Sequence, residues 1–301
     1  MNHTYTKLTL LFLLLSPIST FSQSAESYFT VLAQYGEIFN GGKKLSDFDR
    51  IFEPDSIILN DSSYLGLAHS SGKYVELTEK GNYSFSELEN KLSEIILFRE
   101  SELQILLDSE KAKINWGVHE SVIRCGLCSG WVSFSKQFNH IQLYGDSIFL
   151  DWKYRDQKLI NESEILFSDL LSEKSGKFTS TNQSLTTKWK SNWDNFPNSS
   201  ININMKTIQQ ETEEKSTSRL DAVIRKTPKN RFPTIRQAVL LNQSDKSILS
   251  DLALAIAFEA NEFPMDAYFV YQKLLTQNPK ISSFKKLFSD FADRQLIFNS
   301  N

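Results

Sequence analysis

Residues 64–77 read YLGLAHSSGKYVEL. Tyr64, Leu65, Leu67 and Ala68 form an apolar run, Gly72-Lys73 supplies a hairpin-like turn, and Tyr74, Val75 and Leu77 resume the run. Short apolar runs bounded by turn residues predict β-structure. Working outward, YFTVL opens the region at Tyr28, and Gly36, Gly41, Gly42 and Pro54-Asp55 mark further turns. The pattern predicts a small sandwich or barrel-like sheet over residues 27–83. His69 alternates with Leu65 and Leu67 on one strand face, which predicts a half-buried structural histidine rather than the base of a catalytic triad.

The order VLAQYGEIFNGGKKL, then PDSIILNDSSYLGLAHSSGKYVELTEKGNYS, resembles the FecR-type β-domain of exported bacterial proteins. The matching positions are Gly36, Ser62, Ser63, Leu65, Leu67, Gly72, Lys73, Glu76, Leu77 and Gly81. The resemblance covers about a fifth of the chain and rests on order and spacing. It implies a periplasmic signalling or structural β-module with no chemistry of its own.

The whole chain has 301 residues, 40% hydrophobic and 23% charged, with a formal net charge of −3. That length suits two or three modest domains. Near-neutral charge lacks the basic stripe on which nucleic-acid binding depends, so no nucleic-acid partner is expected. All 11 glycines lie at or before Gly176, which excludes phosphate-cradling glycine loops from the rest of the chain.

Residues 1–22, MNHTYTKLTLLFLLLSPISTFS, carry Lys7 in a polar head, an apolar run from Leu8 to Leu15 and a break at Pro17. This is the layout of a cleavable signal peptide, too short to span a bilayer as a stable helix. Cleavage after Ser22 removes only Lys7 among the charged residues and takes the net charge from −3 to −4. No later stretch approaches the roughly 18 apolar residues of a spanning helix. The expectation is an exported protein, periplasmic or extracellular, with no membrane span after signal cleavage.

From Phe85 to about Asp108 the apolar period lengthens to three and four, through Leu88, Leu92, Ile95, Ile96, Leu103, Leu106 and Leu107. Ser84 and Glu87 have capping-box spacing. The pattern predicts an amphipathic connecting helix within residues 84–112. Period two returns over residues 113–208, clearest in Ile148, Leu150, Trp152 and Tyr154 and in Ile201, Ile203 and Met205. A second β-sandwich-like domain, immunoglobulin-like in outline, is expected there. The polar stretch Gln209 to Ser218 reads as a linker.

From Arg219 the chain is expected to turn helical, over residues 219–301. Leu252, Ala253, Ala255, Ile256 and Phe258 form one helical segment, and Ala267, Phe269, Val270, Leu274 and Leu275 a second. Pro264 suits the first turn of the second helix, Pro279 stops it, and Phe284, Leu287, Phe288 and Phe291 begin a third. Leu254, Ala255, Phe258, Ala267, Tyr271 and Pro279 fit one tetratricopeptide register, although Asp251 and Leu274 depart from it. One imperfect repeat predicts a lone helical hairpin rather than a solenoid. The overall expectation is an α+β multidomain chain, with a helical interaction surface around Glu259, Glu262, Tyr268 and Gln272. Glu259 and Glu262, at a helix end, are expected to be solvated.

The cysteines are Cys125 and Cys128, in RCGLCSG. In an oxidising compartment this pair suits a local structural disulfide. A redox dithiol needs a helix to follow the first thiol, whereas Trp131, Val132, Ser133 and Phe134 alternate like a strand. His119 and His140 flank the pair at spacings unlike a zinc finger. Ser129 stands where haem attachment needs His, and GLCSG lacks the strand-to-helix context of a nucleophile elbow. Five tryptophans between Trp116 and Trp193 suit core packing better than exposed stacking. No catalytic residue, metal or cofactor is expected. The reading is a non-enzymatic envelope protein whose partner is an envelope or extracellular protein. The alternatives are a thiol-redox protein using Cys125 and Cys128, or a soluble component of an envelope ligand-sensing system.

Overall fold

A computed structural model describes residues 27–99, 132–134, 141–154, 162–168, 175–180, 184–188, 200–208 and 220–295. The architecture is mixed α+β, with β-sheets followed by a helical C-terminal region. In the first region β1 (Phe29–Tyr35), β2 (Ile38–Asn40), β3 (Lys43–Lys44), β4 (Arg50–Ile51), β5 (Ser56–Leu59), β6 (Tyr64–His69), β7 (Tyr74–Leu77) and β8 (Gly81–Ser84) form two antiparallel sheets, ordered β4-β1-β6-β7 and β3-β2-β5-β8. Phe29, Val31, Leu65, Leu67 and Val75 of one sheet pack with Ile38, Ile57, Leu59 and Tyr83 of the other. Gly36 makes the β1–β2 turn at φ +91°, and a Cβ there would sit 2.2 Å from Ser63 Oγ. Only glycine meets both conditions.

Ser84 caps α1 (Phe85–Asn90) through the capping box with Glu87. The helix then stops, six residues long, where the spacing predicted a helix to about Asp108. Residues 91–99 instead follow β7: Ser93 N–H donates to the Tyr74 carbonyl at 2.9 Å, and Leu97 and Phe98 N–H donate to Gly72 at 3.0 and 3.1 Å. Phe98 is buried beneath the C-terminal helices. The apolar residues that mimicked a helix face lie in irregular chain with bends at Glu94 and Ile95, Phe98 buried and Ile96 exposed. Residues 100–112 lie outside the described residues.

The second β-region holds β9 (Val132–Phe134), β10 (Ile141–Leu143), β11 (Ser147–Tyr154), β12 (Glu162–Ser168), β13 (Ser175–Ser180), β14 (Ser184–Lys188), β15 (Ser200–Ile208) and β16 (Leu220–Lys226). They form a five-stranded sheet, β10-β16-β15-β12-β13, and a three-stranded sheet, β14-β11-β9. β16 corrects the expectation of helix from Arg219. Its alternating Leu220, Ala222 and Ile224 stand opposite Met205, Ile203 and Ile201 of β15, and it pairs in parallel with β10 on its other side. The partner strands decide the backbone here. The expected linker, Gln209 to Ser218, lies outside the described residues.

After a 3₁₀ turn at Lys229–Arg231 come α2 (Pro233–Ser244), α3 (Ile248–Ala260), α4 (Pro264–Gln277) and α5 (Ser282–Gln295). Pro233 and Pro264 sit in first turns, where the missing N–H costs nothing. Ser247 caps α3 by accepting the Ser250 N–H at 3.0 Å. Among the described residues no helix is long and apolar enough to cross a membrane.

The helices lie on the outer face of the β4-β1-β6-β7 sheet. Leu32, Tyr64, Ala68 and Tyr74 belong to the same core as Leu249, Leu252, Ile256 and Phe284. Every residue of β6 is therefore buried, since its two faces meet two different cores. Gly66 sits where α3 comes closest: a Cβ there would stand 2.9 Å from Tyr64 Oη and 3.1 Å from Leu249 Cδ2. Gly66→Ala should lower stability by about 1–3 kcal/mol through overpacking, measured by urea unfolding against the wild type.

Candidate functional site

Two carboxylates, Glu76 and Asp266, are largely withdrawn from solvent where the helices meet the two β-regions. At the first joint, β7 turns Glu76 towards α3. Its Oε1 accepts the Tyr64 hydroxyl at 2.7 Å and the Leu249 backbone N–H at 2.9 Å. A carboxylate from the sheet thus satisfies one of the orphan donors at a helix start, where it also meets the positive end of the helix dipole. Beside it the Tyr74 hydroxyl donates to Asp245, whose Oδ1 accepts the Ser247 N–H at 3.1 Å. Burial pushes the Glu76 carboxyl above its ordinary range, against the hydrogen bonds from Tyr64 and Leu249 that pull it down. Burial, and then the bond to Asp245, push the Tyr74 hydroxyl up to about 12.

At the second joint, Asp266 in the first turn of α4 faces the turn between β10 and β11. Its Oδ2 accepts the Tyr144 N–H at 2.9 Å and its Oδ1 the Gly145 N–H at 2.6 Å. Lys226 of β16 donates to the Gly145 carbonyl at 2.7 Å and pairs with Asp146. Tyr144 packs on Phe258 and Phe263, with ring centroids 5.8 and 5.9 Å apart. Tyr268 stacks on Phe149 of β11 at 4.0 Å and 9°. Burial pushes the Asp266 carboxyl up to about 6, opposed by the two backbone N–H groups and Lys226.

The four residues expected to form a helical interaction surface do not share one exposed face. Glu259 is not solvated: its side chain is 6% exposed and accepts Arg294 Nε at 2.7 Å, Arg294 Nη2 at 3.0 Å and the Tyr271 hydroxyl at 3.1 Å. Arg294 lies 35 residues downstream on α5, so only the packing of α5 brings it there. Tyr268 is half-buried on Phe149, Gln272 is half-buried, and Glu262 is exposed at the α3–α4 turn with φ +64°. Cys125, Cys128, His119 and His140 lie outside the described residues, as do Trp116, Trp131, Trp189 and Trp193.

His69 is buried against Phe29, with ring centroids 4.9 Å apart. Its Nδ1 accepts the Ser71 N–H at 3.2 Å, so the ring proton is on Nε2 and is donated to Ser27 Oγ at 2.7 Å. The Ser27 hydroxyl in turn donates to Glu89 at 3.1 Å. A serine activated by histidine needs the opposite polarity, with the ring accepting the hydroxyl proton. The relay fastens the start of β1 to α1. Among the described residues no group of three or more His, Cys, Asp or Glu side chains is placed to hold a metal.

Asp266 belongs to no motif, and Glu76 stands out in the sequence only as one position of the FecR-type resemblance, which gives it no role. The local signal is position: Glu76 interrupts the apolar run of β7, and Asp266 follows Pro264 in a helix's first turn. Neither protein-family models nor curated proteins give a match to this chain.

Glu76→Ala leaves the Leu249 N–H and the Tyr64 hydroxyl without their acceptor. It should cost about 1–3 kcal/mol, read by urea unfolding, with Tyr64→Phe costing less.

The pH dependence of Asp266 has a definite sign. Folding raises its pKa, so between about 4 and about 6 the folded state binds more protons than the unfolded chain. Its contribution to stability is therefore greatest at the acid end of that window and is lost as pH rises through about 6. His69 acts with the opposite sign, because burial lowers its pKa and protonation favours the unfolded chain. Asp266→Asn, compared with wild type by thermal unfolding from pH 4 to pH 7, should remove the Asp266 slope and leave the slopes of His69 and of Glu76, whose carboxyl burial also raises.

Proposed function

We propose that this protein is an exported, non-enzymatic scaffold of the cell envelope that acts by protein–protein contact. In this reading the first β-region is a FecR-like module, the second an immunoglobulin-like sandwich, and the α3–α4 pair a tetratricopeptide-like hairpin. The observation that carries it is the way buried polar chemistry is used. Glu76 and Asp266 both accept backbone N–H groups across a boundary between regions, so they fix relative placement. A scaffold requires that property, because its outward faces must keep a constant spacing. A helical pair covered by sheet residues on one side and by Tyr144 and Phe149 on another has little apolar surface left for an extended peptide groove. Contact surfaces are then sought on the outside. Ile58, 41% exposed on β5 beside Phe39, and Leu240, 54% exposed on α2, are large apolar side chains displayed there.

The test is cross-linking of the mature chain in its own envelope fraction, followed by mass spectrometry. A defined partner is expected, with recovery falling at least about tenfold for Ile58→Asp or Leu240→Asp, since a hot-spot side chain is worth about 2 kcal/mol or more. Recovery unchanged by both substitutions overturns the reading. So does turnover of any substrate by the purified protein at a rate abolished by one side-chain change.

A further inference from the structure

We infer that the α3–α4 hairpin couples the two β-regions, so that loosening its joint with one loosens its joint with the other. This goes beyond the scaffold reading and holds whatever the protein binds. Three observations support it. One hydrophobic core contains Leu32, Tyr64 and Tyr74 of the first β-region, Tyr144 of the second, and the buried faces of α3 and α4 between them. The two joints sit on successive helices, Glu76 against the start of α3 and Asp266 within the start of α4. The connection between them is closely packed: Ala255 and Ala267 are fully buried, and Phe263 N–H donates to the Phe258 carbonyl at 2.9 Å across the helix turn.

The physical reason is that packed interiors shift between discrete arrangements rather than deforming gradually. α3 has 13 residues and is about 20 Å long. A tilt of its N-terminal end away from Glu76 moves Phe258 near its other end, and Phe258 is one of the rings on which Tyr144 rests. Tyr144 supplies one of the two N–H groups bound by Asp266. Without such a link, substitutions this far apart act independently.

Native-state hydrogen exchange on the mature chain tests the inference. Asp266→Asn should speed exchange of the β6 and β7 amides about tenfold, and Glu76→Gln should do the same for Leu143 and residues 148–150. Glu76→Gln retains the one oxygen that accepts both bonds and loses the charge, whereas Asp266→Asn retains one of its two accepting oxygens and sets an amide NH2 against the other N–H. Tyr74→Phe, which removes only the hydroxyl bond to Asp245, is a milder third variant should either fail to fold. Repeating the measurement in an Ala267→Gly background, which loosens α4 against α3, should cut each cross-effect at least threefold. Acceleration confined to the substituted side, or cross-effects unchanged by Ala267→Gly, overturns the inference.

Discussion

Burial of the outer face of the β4-β1-β6-β7 sheet beneath α3 and its neighbours is the constraint from which the rest of the structure follows. The two-sheet β-region already has one complete core, built from Phe29, Val31, Leu65 and Leu67 on one side and Ile38, Ile57 and Leu59 on the other. The reverse face of the same sheet presents Leu32, Tyr64, Ala68 and Tyr74, and the helices take these out of water. Fully burying a large apolar side chain contributes about 1.5–3 kcal/mol. A contact made by several of them is strong enough to hold two regions of chain in one arrangement.

That contact also takes polar atoms out of water, and a buried polar group without a partner is costly. The start of α3 brings backbone N–H groups into the interface, and Tyr64 brings a hydroxyl; Glu76 accepts from both. At the other end of the hairpin Asp266 performs the same service for a β-turn. Each carboxylate is held between opposing effects, with desolvation favouring the neutral form and hydrogen bonds favouring the charged one. Glu259, buried with Arg294 and Tyr271, ties α3 to α5 by a different solution, a two-pronged ion pair.

Much of the architecture was legible from residue order. The turns at Gly36, Gly41-Gly42 and Gly72, the capping box of Ser84 and Glu87, and the helix start at Pro264 all act within a few residues, so their physics is contained in the local sequence. Errors arose where an apolar pattern had two solutions. Residues 92–98 carry spacings that fit a helix, yet Gly72 offers its carbonyl to Leu97 and Phe98 and the segment is irregular. Leu220 to Lys226 forms a strand because β15 and β10 flank it. The candidate site was the least legible part. Glu76 and Asp266 are ordinary charged residues in sequence, and Glu259 was expected in solvent because Arg294 is remote along the chain.

The sequence by itself determined the turns of the first β-region, the capped start of α1 and the proline-marked start of α4, since these depend on backbone preferences over short spans. Only the tertiary structure decided that the sheet has a second buried face, that carboxylates fasten one region to another, and that Glu259 is paired rather than wet. Those outcomes depend on groups remote in the chain, such as Glu76 and Leu249, 173 residues apart, and a local pattern carries no record of which distant surface will cover it.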